Sequence, residues 1–136
     1  MTDFTLATTV REPFDAVLAQ VRQRLADAGF GVLTEIDLAG TLRAKLGVDR
    51  RPHVILGACR PELANQGLDA DERVAALLPC NVVVSEHPEG TRVEVFDPAV
   101  MTTLSDAPGI AEVARDAAER LSGMLRSLEQ AHAAGA

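Results

Sequence analysis

Cys80-Asn81-Val82-Val83-Val84-Ser85-Glu86-His87-Pro88-Glu89-Gly90-Thr91-Arg92-Val93-Glu94-Val95-Phe96 reads as a β-hairpin. A β-branched run from Cys80 to Glu86 and a second from Thr91 to Phe96 flank His87-Pro88-Glu89-Gly90, a loop of turn-forming residues. The second arm alternates, with Val93 and Val95 on one side and Arg92 and Glu94 on the other. One face of the sheet is therefore covered and the other is wet or lightly covered, which points to an antiparallel sheet.

Working outward, His53-Val54-Ile55-Leu56-Gly57-Ala58-Cys59 is an apolar strand entered from Arg50-Arg51-Pro52. Pro61 can open a helix at its first position, with Leu63, Ala64 and Leu68 on one side, and a second short helix covers about 71–78 before Pro79. Toward the N-terminus, Phe4 to Val10 is a Thr-rich strand. Phe14, Val17, Leu18, Val21 and Leu25 then recur at helical spacing behind Pro13, and Gly29 closes that helix. Phe30 to Asp37 is a strand, followed by a short helix over 38–47 with Leu38, Leu42 and Leu46 in a stripe and Gly47 as its stop. After a loop from Asp97-Pro98 to Gly109, a long helix runs from Ile110 to about Ala131, and 131–136 is expected to fray. The order β-α-β-(α)-β-(α)-β-β-α predicts an α+β two-layer sandwich, a mostly antiparallel sheet of about five strands with helices packed on one face. An open sheet of this kind leaves a face or edge available, and homodimerisation is the expected cover.

The chain of 136 residues fits one domain, 1–136, with enough length to bury a core. There are four Phe and no Trp or Tyr, so Val, Leu, Ile and Ala must build that core. The formal net charge of −7 removes the main electrostatic attraction for a phosphate backbone, so no nucleic-acid partner is expected. No stretch approaches the ~20 apolar residues of a membrane span, and Met1-Thr2-Asp3-Phe4-Thr5 has no cationic-then-apolar leader. Two unclustered cysteines suit a reducing compartment, so a cytoplasmic location is expected.

Five segments together resemble a known family: Phe30 to Asp37, Lys45-Leu46-Gly47-Val48, Ile55 to Cys59, Leu77 to Val84, and Asp97-Pro98. They look like the bacterial and archaeal "domain of unknown function 302" family, over roughly residues 4 to 130. The resemblance implies a compact α+β domain of the broad TATA-binding-protein-like topology, usually dimeric, and implies no activity. His53 stands where the resemblance places an aromatic residue after Arg51-Pro52, so its ring has a packing role open to it.

Cys59 and Cys80 are the leading candidate site residues, each at a strand end beside a proline and in no CxxC. A cysteine in such a place has three readings: a small buried hydrophobe, a thiol for redox or sulfur transfer, or a soft-metal ligand. A small-molecule ligand near these strand ends is the first functional reading, with Asn81, Glu35, Lys45 and Arg51 as further candidate contacts. Thiol-based redox, sulfur transfer or soft-metal binding is the second, and a purely structural or interaction module the third. His53 and Met101 are the added weak candidates for a metal, for which no ligand spacing exists. His87 and His132 read as exposed. Asp37 reads as a helix cap more readily than as a general base with Glu35. No P-loop, dinucleotide fingerprint or catalytic triad is present, so no cofactor is named and no reaction assigned.

Overall fold

The computed structural model describes the backbone of residues 3–135 and the side chains of residues 3–131. Strands β1 (Thr5–Val10), β2 (Gly31–Asp37), β3 (His53–Cys59), β4 (Cys80–His87) and β5 (Gly90–Phe96) form one sheet in the order β1-β5-β4-β3-β2. Every neighbouring pair is antiparallel. Helices α1 (Phe14–Asp27), α3 (Pro61–Ala70) and α5 (Ile110–Gly135) supply most of the second layer, giving the α+β two-layer sandwich. A nine-residue helix, α2 (Leu38–Leu46), follows directly on edge strand β2.

The alternation of the hairpin becomes the core. Val82 and Val84 of β4 face Val95 and Val93 of β5 across the ladder, and all four are fully buried. Val54, Leu56 and Ala58 extend that surface on β3. Val17, Val21 and Leu25 of α1 and Leu121, Met124, Leu125 and Leu128 of α5 close over it. The hairpin turn reduces to Pro88-Glu89, because His87 pairs with Gly90. Gly90 adopts φ 141°, and a Cβ there would run into the carbonyl of Val10 and lie 3.1 Å from Arg11 Cα, so the close pass of the β1 terminus requires a glycine.

The caps are as the residues dictate. Asp37 Oδ1 accepts from Gly40 N at 2.9 Å at the start of α2, and Gly29 and Gly47 follow α1 and α2 with φ 88° and 69°. Residues 72–77 wind as a 3-10 helix between Asp71, which caps it, and the Leu78–Pro79 step.

Two boundaries differ from expectation. The segment after Asp97, expected as loop, holds a 3-10 turn (Pro98–Val100) and a one-turn helix, α4 (Met101–Leu104). Asp97 Oδ1 caps it from Ala99 N, Pro98 fits the first turn, and the hydroxyls of Thr102 and Thr103 donate back to the carbonyls of Ala99 and Val100. The final helix passes Ala131 and reaches Gly135. The side chain of His132, and Ala136 at the end of the segment expected to fray, lie outside the described residues.

Candidate functional site

Strand β3 ends at Cys59, and Arg60-Pro61 turns the chain at once into α3. Ala58 pairs with Cys80, so the two cysteines sit on neighbouring strands, one residue out of register. At this end of the sheet α3, α4 and α5 stand off from the strands. They leave a slot lined by Phe30, Ala58, Cys59, Arg60, Leu63, Ala64, Gly67, Val74, Leu78, Cys80, Met101, Val113 and Ala117. A body the size of water has only about 30 Å³ in which to move inside it. That is room for roughly two waters. An occupant of a few heavy atoms fits, whereas drug-sized ligands need cavities of roughly 300 Å³ or more of true free space.

Three sulfur-bearing side chains from separate parts of the sequence therefore line one apolar slot: Cys59, Cys80, which packs against the main core, and Met101, which packs with Val74, Ile110 and Ala114. Both cysteines are free and partly buried, and Met101 is buried. Burial, reinforced by the neighbouring charge of Cys59, pushes the Cys80 thiol up to about 11. At neutral pH Cys80 is thus a protonated thiol, not the low-pKa thiolate that a resting nucleophile requires.

Arg60 supplies the charge. Its side chain is about one-fifth exposed, its Nη1 lies 3.6 Å from Glu62 Oε2, and its Nε is buried without a hydrogen-bond partner. The guanidinium packs against Gly29, where a Cβ would collide with Nη1 and lie 3.3 Å from Cζ. Arg60 is not among the residues that the sequence singles out. The available signal was a cation immediately after Cys59 in the same turn.

The other candidates are distributed elsewhere. Asn81 is exposed and lines a shallow pocket with Pro79 and Phe96. Glu35 on β2 is ion-paired with Arg22 of α1, and Asp37 is committed to its cap. Lys45 on α2 and Arg51 before β3 are exposed and do not line the slot. His53 begins β3 while Cys59 ends it, about 20 Å away at 3.3 Å per residue. It lines an open groove with Asp15, Asp37, Arg43 and Arg50. His87 is half-buried, contrary to the exposed position expected, because its Nε2 lies 3.0 Å from Ser85 Oγ. Among the described residues no three His, Cys, Asp or Glu side chains gather as a metal-ligand group. Among them, too, no helix is long and apolar enough to cross a membrane.

The architecture is that of a helix-backed antiparallel α+β domain with a thiol-lined slot at one sheet end. The chain matches the family described as "Domain of unknown function DUF302" over residues 6–128, and it belongs to that family. It is similar to an uncharacterized conserved DUF302 protein from Bacillus stearothermophilus, whose crystal structure superposes with a TM-score of 0.85. The two share 28% identity, and the match covers 92% of this chain and 98% of the other. No curated protein matches the chain.

Proposed function

We propose that this chain is a homodimeric cytoplasmic binding domain that holds a ligand of a few heavy atoms in the Cys59/Cys80 slot. The observation that carries this reading is the convergence of Cys59, Cys80 and Met101 on one narrow apolar space. Packing alone does not call for it, because interiors are close-packed and voids of this kind are few. Size restricts the ligand class: a compact, soft or apolar species fits, and a nucleotide or peptide does not.

The dimer rests on a different feature. No residue of α2 is buried, and isolated helices of nine residues are marginal in water. Beside it, edge strand β2 exposes Leu33 (67%) and Ile36 (46%), with Leu46 (69%) exposed on α2 itself. A second copy placed edge to edge, each β2/α2 surface meeting its equivalent, would bury these side chains and cover the strand edge. The free thiols accord with a reducing compartment. A redox or sulfur-transfer role is the second reading, favoured by the adjacent strands that carry the two cysteines and weakened by the protonated state of Cys80. Asn81, Glu35, Lys45 and Arg51 fall outside the slot, so the binding reading does not depend on them.

Native mass spectrometry of gently purified, reduced protein tests the binding reading. The expected result is a dimer carrying a small adduct on each chain, absent from Ala64→Leu, which fills the slot and leaves both thiols in place. A bare dimer with both thiols free would overturn it.

A further inference from the structure

The occupant can be narrowed by softness, ligand count and one unpartnered donor together. The slot offers two thiols and one thioether, donors that select soft metal ions. Zinc in a structural site takes four nitrogen or sulfur ligands, and no third His, Cys, Asp or Glu joins the two cysteines among the described residues. A soft ion content with few ligands is what remains. The slot also excludes a hydrated ion, since so little free space is left beside its walls.

Arg60 is the independent observation. A buried guanidinium Nε without a partner is costly, and an orphaned polar group of this kind points to a missing one. The Arg60 head group is ion-paired with Glu62 through Nη1, so what it has left to offer an occupant is its unpartnered Nε–H, a donor that suits a metal-bound thiolate.

We infer that the slot is a low-coordinate site for copper(I), held by Cys59 and Cys80 with Met101 as a weaker third donor and the Arg60 Nε–H donating to a bound thiolate. This rests on the binding reading above and names its ligand. Copper(I) leaves its carrier ligands and forms bonds to the Cys59 and Cys80 sulfurs and a weaker one to Met101, while the two thiol protons pass to solvent, with no change in oxidation state.

The test is anaerobic titration of reduced protein with copper(I) alone, using bicinchoninate as the coloured competitor. Wild-type protein is expected to withdraw one copper per chain. Cys59→Ser and Cys80→Ser should each abolish this while retaining the far-ultraviolet circular dichroism of the fold. Arg60→Gln and Met101→Leu keep both thiols and carry the test if the serine variants do not fold; Arg60→Gln is expected to weaken affinity by roughly 10–100-fold. Folded wild-type protein that withdraws no copper, or serine variants that compete as well as wild type, would overturn the inference. If copper fails while the native adduct persists, the ion is wrong and the binding reading stands. If both are absent, both fall.

Discussion

Cys80 and Arg60 share one slot but carry opposite burdens. Burial keeps the Cys80 thiol protonated, with its pKa at about 11, while Arg60 holds a permanent charge against an unpaired donor. In metal-free protein the Cys80 shift has direct consequences. At pH 8 iodoacetamide should modify Cys80 roughly 100-fold more slowly than free cysteine, because the thiolate fraction falls with the raised pKa. The folded pKa lies above the unfolded one, so the stability contributed by the protonated thiol is intact below about pH 9 and is lost as pH rises toward 11. The unfolding free energy should therefore decline over that window by at most about 1.4 kcal/mol per pH unit, and Cys80→Ala should lack that decline. Mass-spectrometric alkylation rates and denaturant titrations check the two halves. A Cys80 that reacts as fast as free cysteine contradicts the buried position.

At the scale of elements, the slot depends on short connections holding α3 and α4 off the sheet. Asp71 is the main tie. Its carboxylate binds Arg73 through two contacts, at 2.9 and 2.8 Å, and accepts from Ser105 Oγ at 2.6 Å, joining the end of α3 to the segment after α4. Those hydrogen bonds, that from Arg73 first and that from Ser105 next, hold the Asp71 carboxyl well below the usual carboxylate range. The folded pKa is depressed, so this contribution is present above the ordinary value of about 4 and is lost as pH falls below it. Asp71→Asn should lower the melting temperature at pH 7 and flatten its decline in acid, as measured by thermal unfolding from pH 7 to pH 3. An unchanged acid slope would mean the tie lies elsewhere. The strands and long helices were readable from sequence because their signals are local: alternation in 91–96, the stripe behind Pro13, the glycines after α1 and α2. The slot was not. Met101 lies in a stretch whose Asp97-Pro98 start reads as loop, and nothing in linear spacing joins it to Cys59 or Cys80. Those three, with Arg60, line one slot because β3 and β4 are neighbours and Met101 of α4 packs on Ile110 and Ala114 of α5.

On the scale of the whole molecule, the sheet packs its helices on one face and leaves β1 and β2 as edges. The apolar surface of β2 and α2 lies on one of those edges, far from the slot in kind: large exposed aliphatic groups instead of thiols. Sedimentation velocity should give a dimer for wild type, and Leu33→Glu combined with Leu46→Glu should give a folded monomer. A monomer at every concentration of wild type would assign that surface to another partner. His53 shows how far one-dimensional reading reaches: it was grouped with the cysteines as a soft-ligand candidate, yet a full strand length separates it from Cys59. The proposed copper(I) site requires the thiol-lined slot to be occupied in the working protein. The most direct measurement is a crystal structure of protein purified anaerobically without chelators, with anomalous data collected across the copper edge. The account predicts a peak bounded by Cys59, Cys80 and Met101, with Arg60 turned toward it. Closed packing of those side chains, with no density between them, would contradict it.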